Sequence, residues 1–430
     1  MPSQTIALKV KLLPPNKGKR EKMTRMLELY RQACAWYLEQ AVALGTTSRA
    51  RLNRETYRKA CELFDLNRAT LQCAMLKALS AYRRYLSRKH KGKKASLPRF
   101  KKIIPVMVRQ DQYSLHQLPS GTWVIKFPIS SGRGKSIAVP LATSAYHVKR
   151  LQDLTGGSCR KGSMEIWCDK SGEWYVSIPL VYETRLYEPS GVIGVDLGIV
   201  KLAVLSNNVF FDGRQVRWRK ERWAERRRAL QKAGRLSRVK KEAGRERRWM
   251  RYINHCLSKR IVEIAKAEGA AIALESLCGI RERAKGSKRF NRMMTGWNFR
   301  ELASFIEYKA ALAGVPVIYV DPKETSITCP RCGNVSRYNR KKTHNWFKCT
   351  KCGYQSDADR VGALNIAAKA LDALRACPWE KGECGTPKGQ GDPGHPGERW
   401  LTCGGNAAIP RWDAPQSIRE RMPPSVNIPI

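Results

Sequence analysis

Residues 191–206 read GVIGVDLGIVKLAVLS: two aliphatic runs, 192–195 and 202–205, with one acid, Asp196, between them. Short β-rich apolar runs separated by few residues predict a buried hairpin. A carboxylate in such a strand must be protonated, paired with a base, or directed at a metal ion, because an isolated buried charge is costly. Lys201, beyond the bend at Gly198, is the nearest base. The plain alternative is an Asp at a strand end satisfied by turn amides. Either way the chain must build a sheet with an acid at its edge, and the remaining residues decide what meets that acid.

Residues 270–275, AAIALE, repeat the device: an apolar strand ending in Glu275. Between the two acids, 209–211 reads as a third short strand and 212–268 as one long helical stretch. Beyond them, 297–313 reads as a helix, 315–320 as a buried strand and 357–374 as a final helix with Asp359 in its first turn. Three strands, a long helix, then strand, helix, strand, helix is the ribonuclease H order. That order gathers Asp196, Glu275 and Asp359. Such a cluster suits phosphodiester chemistry with two hard divalent cations, which need shared carboxylate oxygens to sit about 3.5–4 Å apart.

Between the last strand and the last helix stand Cys329-Pro-Arg-Cys332-Gly and Cys349-Thr-Lys-Cys352-Gly, with sixteen residues between the pairs. Each pair can turn two thiolates toward one ion, and the spacing predicts a tetrahedral zinc ribbon with one structural zinc. Redox pairs or disulfides are the other readings of such cysteines. His344 is a possible substitute ligand, but four cysteines already close the site. Cys34, Cys61, Cys73, Cys256 and Cys278 are scattered singly, as small buried residues are in a reducing compartment. Cys377, Cys384, His395 and Cys403 match no ribbon spacing, though they could form a second metal site.

With 81 Lys and Arg against 36 Asp and Glu, the formal net charge is +45. Such self-repulsion is of no use to an enzyme of small molecules, whereas a protein that neutralises phosphates gains affinity by releasing counterions. Nucleic acid is the expected partner. There is no run of about 18 apolar residues and no amino-terminal apolar segment, so a soluble, intracellular chain without a membrane span is expected. The charge is clustered. Arg226, Arg227, Arg228, Arg235, Lys240 and Lys241 crowd the first half of the long helical stretch, while Trp249, Ile253, Leu257, Ile261 and Ile264 stripe its second half. One end therefore packs and the other faces phosphate or solvent.

Upstream, 5–13 alternates apolar and basic residues as a half-exposed strand, and 19–44 and 68–89 carry apolar stripes at helical spacing. A basic run at 88–94 leads into Leu97-Pro98-Arg99-Phe100-Lys101, where Arg99 and Lys101 are candidate phosphate contacts. From 106 to 182 short strands alternate with Gly and Ser, and Asp169 and Glu173 flank a turn. The pattern predicts an all-β barrel or sandwich into which the helical segment is inserted. After residue 376 Gly, Pro and scattered Trp replace periodicity, as in a disordered tail.

At these residues the chain resembles the TnpB family, transposon-encoded RNA-guided nucleases related to type V CRISPR effectors. The resemblance covers roughly residues 5–374. GVDLGIVKLAV looks like the first RuvC motif with Asp196, ALESL like the second with Glu275, and CPRCG, CTKCG and SDADRVGALNIA like the zinc ribbon and third motif. LPRFK and Glu324-Thr325-Ser326 also sit where the family has similar stretches. The third motif commonly reads D-x-N-G-A, which puts the acid at Asp359 rather than Asp357, with Val361 standing where Asn is common.

The resemblance implies an α+β multidomain protein. It has a wedge-like β-barrel (1–15 and 98–185), a helical recognition insertion (16–97), a RuvC, RNase H-like nuclease domain (190–322 and 355–375), a zinc ribbon (323–354) and a tail (376–430). It implies an RNA-guided, Mg-dependent endodeoxyribonuclease with two Mg²⁺ at Asp196, Glu275 and Asp359. Its partners would be a guide RNA and double-stranded target DNA with a short adjacent motif, and a monomer in the prokaryotic cytoplasm or nucleoid is expected. A compact type V CRISPR effector, a strand-transferring transposase, a structure-selective nuclease and a non-cutting RNA-guided binder are the alternatives at this point.

Overall fold

The structure, a computed structural model, describes residues 3–132, 135–276, 299–341 and 345–376. The expected tail beyond residue 376, with Cys377, Cys384, His395 and Cys403, lies outside the described residues, as do Cys278, Trp297 and His344. The chain divides into two compact units, Ser3–Glu183 and the residues from Thr184 onward.

The first unit runs β1 (Ser3–Leu12), α1 (Lys17–Ala43), α2 (Arg49–Leu63), α3 (Arg68–His90), β2 (Val106–Val108), β3 (Ser114–Gln117), β4 (Trp123–Pro128), β5 (Ser136–Ala142), α4 (Ala145–Thr155), β6 (Arg160–Lys161), β7 (Met164–Cys168) and β8 (Trp174–Glu183). Its strands pair antiparallel in the order β2-β7-β8-β1-β5-β4-β3, with β6 also on β8. The first strand lies along the last, Ser3 opposite Glu183 and Lys11 opposite Tyr175. The helices α1–α3 are therefore an excursion between two strands of one sheet. α1 buries Met23, Met26, Leu27, Tyr30, Cys34, Tyr37, Leu38 and Ala41, the stripe expected from their spacing. α2 and α4 are two further helices, α4 interrupting the stretch expected to be all strands; α2 buries Leu52, Thr56 and Ala60, and α4 buries Leu151.

The second unit runs β9 (Gly191–Asp196), β10 (Lys201–Leu205), β11 (Phe210–Asp212), α5 (Arg214–Lys232), α6 (Leu236–Ala267), β12 (Ala270–Glu275), α7 (Phe299–Ala313), β13 (Val317–Val320), β14 (Arg340–Lys341), β15 (Trp346–Lys348), β16 (Gln355–Asp357) and α8 (Ala358–Ala376). Five strands form one sheet in the order β11-β10-β9-β12-β13. β9 is antiparallel to β10 and parallel to β12, which is parallel to β13. The single helical stretch expected over 212–268 is two helices. The break falls at Gly234, whose φ of +67° suits glycine and stops α5.

β12 shows how period 2 builds two layers. Ala270, Ile272 and Leu274 join a core with Ile253, Leu257 and Ile261 of α6 and Leu302 and Ile306 of α7. Ala271 and Ala273 face the other way, against Ile366 and Ala370 of α8. α8 lies still closer to β9. A Cβ on Gly194 would fall 2.0 Å from the Ala363 carbonyl oxygen and 2.6 Å from the Ala367 nitrogen. Gly194→Ala must therefore push strand and helix apart, and we expect a loss of about 1–3 kcal/mol or more in denaturant unfolding with the m-value unchanged.

Candidate functional site

Asp196 is the last residue of β9, Glu275 the last of β12, and Asp359 lies in the first turn of α8. All three line one cleft of about 500 Å³, together with Lys201, Thr325, Arg340, Asn345 and Gly362. The parallel pairing of β9 with β12, Leu274 opposite Val195, brings the first two acids to the same end of the sheet. α8 supplies the third by its contact with β9. Gly362 is part of that contact, since a Cβ there would sit 2.9 Å from Asp196 Oδ2.

The carboxylates differ in their surroundings. Burial, and then the charges of Glu275 and Asp359, push Asp196 up to about 7, with Arg340 opposing. Burial also raises Glu275, against a hydrogen bond of 2.6 Å from Thr325 Oγ1. Asp359 Oδ2 accepts from Asn345 Nδ2 at 2.7 Å, and Arg340 and Lys201 lie 3.7 and 3.6 Å from its oxygens. Lys201, the base nearest Asp196 in sequence, thus pairs with Asp359 and Asp357. Asp357 has a different task. Its Oδ1 accepts from the backbone N–H groups of Asp359 and Arg360 at 3.1 and 3.3 Å, as a helix cap does, which leaves Asp359 to the cleft.

Cys329, Cys332, Cys349 and Cys352 stand together, with all four sulfurs within 4.8 Å of one another. This four-cysteine cluster fits a zinc ribbon. Each knuckle turns at a glycine of positive φ, Gly333 at +70° and Gly353 at +71°, whose N–H returns to the first cysteine's carbonyl at 2.9 and 3.1 Å. Burial alone would raise the Cys349 thiol. The amides of Cys352 and Lys351, 3.4 Å from its sulfur, together with the Cys332 and Cys352 thiols, oppose burial and bring it down to about 6. The ribbon is not a separate bead: Cys329, Phe347 and Cys349 share a core with Ala358 and Val361 of α8. Val361, fully buried there, packs the ribbon onto the helix that carries Asp359.

The basic positions have unequal surroundings. Arg99, Lys101, Arg228, Arg235, Lys240 and Lys241 are exposed. Arg226 lies 3.6 Å from the buried Glu242, and Arg227 pairs with Glu246, so both help to hold α5 on α6.

Residues 299–366 match the family described as "Cas12f1-like, TNB domain". The chain is 26% identical over 343 residues to the CRISPR-associated endodeoxyribonuclease Cas12f1 of Sulfoacidibacillus thermotolerans, covering 73% of this chain and 79% of that protein. It is 29% identical over 262 residues to a TnpB-like protein of Methanocaldococcus jannaschii, covering 57% and 91%. It is 27% identical over 234 residues to the putative RNA-guided DNA endonuclease InsQ of Escherichia coli, covering 48% and 56%. Among solved structures, the Cas12f1–sgRNA–target DNA complex has a protein that superposes with a TM-score of 0.63 at 17% identity, covering 85% of this chain and 99% of that one. The chain is similar to TnpB-like and Cas12f proteins.

The residues that support the three acids are the ones hardest to read in sequence. Thr325, Arg340 and Asn345 lie outside the acid-bearing elements, and only the tertiary fold brings them to the cleft. Asn365 makes part of that approach, donating to the Thr325 and Thr328 carbonyls at 2.7 and 2.8 Å. Thr325 carried a signal through its family-like stretch, and Gly362 through its place in the third motif. A glycine inside a helix is unfavourable unless something must come close.

The raised Asp196 carboxyl has a consequence for stability in chelator. Its folded-state value, about 7, lies above the ordinary 3.8, so the folded state holds the proton more tightly. Asp196 therefore stabilises the fold below the ordinary value and loses that contribution as pH rises through about 7. Against Asp196→Asn, the wild-type melting temperature in chelator should fall across this window, and a flat difference would refute the assignment.

Proposed function

We propose that this chain is an RNA-guided DNA endonuclease encoded by a transposable element, cutting double-stranded target DNA by metal-assisted phosphodiester hydrolysis at Asp196, Glu275 and Asp359. The observation that carries this reading is the meeting of three carboxylates from β9, β12 and α8 in one cleft, with Asp196 raised by burial and by its acidic neighbours. A cluster that repels itself in this way favours cations, and its hard oxygen donors suit magnesium better than a soft metal. Two magnesium ions held by these acids would lower the pKa of an attacking water and neutralise charge on the leaving oxygen.

The chain's own groups prepare the site. Thr325 orients Glu275 and Asn345 orients Asp359 by direct hydrogen bonds. Arg340 and Lys201 put positive charge beside the acids, where a phosphate backbone would run. The four thiols would hold one zinc ion, tying the ribbon to the base of α8. The net charge of +45 and the relatives named as RNA-guided or CRISPR-associated endodeoxyribonucleases support a guide RNA and target DNA as partners in the prokaryotic cytoplasm. Pairing with the guide would then read sequence, while Arg99, Lys101, Arg228, Arg235, Lys240 and Lys241 are candidates for backbone contacts.

Expressed with its native flanking DNA and purified with its RNA, the chain should cut plasmid carrying a matching target in magnesium and not in chelator. Asp196→Ala, Glu275→Gln and Asp359→Asn should each abolish cutting while target binding persists. Cutting by Asp196→Ala would remove the metal-site assignment. Separately, Cys329→Ser should lower the bound zinc, measured by mass spectrometry, from about one ion per chain, and lower the melting temperature with it.

A further inference from the structure

Along α8 the side chains change partner turn by turn. Asp359 enters the cleft, Gly362 leaves room for Asp196, and Ile366 and Ala370 pack on β12 and β13. Asn365 and Lys369, four residues apart and so on one face of the helix, reach a different target, the loop from Asp321 to Thr328. Asn365 is 6% exposed and donates to the Thr325 and Thr328 carbonyls at 2.7 and 2.8 Å. Lys369 Nζ donates to the Asp321 carbonyl at 3.1 Å and also to the Lys323 carbonyl. The loop backbone is thereby fastened to one helix from both sides of Glu324.

An amide nitrogen suits the Asn365 position. Its two N–H groups match two carbonyl acceptors, and the amide turned over would set its own oxygen against them. The loop needs such a hold, because Glu324 lies in the left-handed region at φ +65°, which a residue with a Cβ keeps only where its surroundings fix it. The Glu324 carbonyl accepts from the Ile327 and Thr328 N–H groups at 3.2 and 3.1 Å and from Thr328 Oγ1 at 2.8 Å, which ties the turn to a residue that Asn365 holds. Thr325 stands inside this frame, 4% exposed. Its hydroxyl has one proton and two acceptors in reach, Glu275 Oε1 at 2.6 Å and the Pro322 carbonyl at 3.1 Å. Where the loop backbone lies decides which acceptor receives it.

We propose that Asn365 is a positioning residue that fixes the Thr325 loop so that the Thr325 hydroxyl is given to Glu275 rather than to the Pro322 carbonyl. α8 then sets two of the three carboxylates, Asp359 directly and Glu275 through the loop. Magnesium affinity at the cleft depends on Asn365, although Asn365 does not line that cleft. This rests on the metal-assisted nuclease reading above.

The test follows magnesium binding and cutting separately. The full chain freed of nucleic acid is melted over a magnesium series, with Asp196→Asn giving the part of the rise that does not come from the cleft. The same variants purified with their RNA are then timed on plasmid carrying a matching target. Asn365→Ala should raise the magnesium concentration for half of the melting shift, and for half-maximal cutting, by about 10- to 100-fold, the range for losing an outer partner of a metal ligand. Saturating magnesium should recover most of the cutting rate. Thr325→Val should do the same, and Asn365→Ala/Thr325→Val should be no worse than Thr325→Val alone, since both changes act on one hydrogen bond. Zinc content monitors the ribbon, and if Asn365→Ala loses zinc, the milder Asn365→Ser must show the same dependence on Thr325. Additive shifts in the double variant, or a half-saturation point unmoved while cutting slows at every magnesium concentration, would overturn the positioning role and leave the nuclease reading in place. Cutting by Asp196→Ala would overturn both.

Discussion

The backbone of α8 rests on β9 at Gly194, where there is no room for a Cβ, and this contact sets the position of the whole candidate site. Strand pairing alone brings Asp196 and Glu275 to one end of a sheet. The third acid arrives only because a helix lies directly on the strand, with Gly362 giving Asp196 the space it occupies. Two glycines, one on the strand and one on the helix, thus decide whether three carboxylates meet. Burial and mutual repulsion at Asp196 follow from that closeness.

The zinc-ribbon fold belongs to the same construction. Phe347, Cys329 and Cys349 pack with Ala358 and Val361, so the core of the ribbon and the first turn of α8 are one body. Arg340 and Asn345 then extend from the ribbon to Asp359 itself. A metal in the thiol cluster would therefore stabilise more than the ribbon, since the orientation of one carboxylate depends on residues between the two knuckles.

The excess of positive charge has two destinations. Glu242, buried, is met by Arg245 at 2.9 Å and Arg226 at 3.6 Å, and Arg227 pairs with Glu246. The Arg226 and Arg227 pairs join α5 to α6, beside the edge-to-face contact of Trp223 with Trp249, whereas Arg245 meets Glu242 within α6. The exposed Arg228, Arg235, Lys240 and Lys241 remain toward solvent. A run of basic residues in sequence cannot be divided in this way, because acids on the neighbouring helix select which cations are neutralised.

Much was legible without a structure because it depends on local chemistry. Short apolar runs marked β9, β10 and β12, alternation marked β1, and spacing marked the stripes of α1 and α6, since periods of 2 and 3.6 follow from backbone geometry. The spacing of the two cysteine pairs marked the ribbon, because each knuckle is a local turn. The order of elements marked the three acids. Other features needed the tertiary structure. The helix break at Gly234 and Asp357 as a helix cap beside Asp359 each turn on small local differences. Thr325, Arg340 and Asn345 come to their carboxylates from separate segments. The sequence by itself determined which residues could carry charge, bind a soft metal or enter a sheet; the tertiary structure decided which of them meet, because contacts across long sequence separations depend on how strands and helices pack and leave no local period to read.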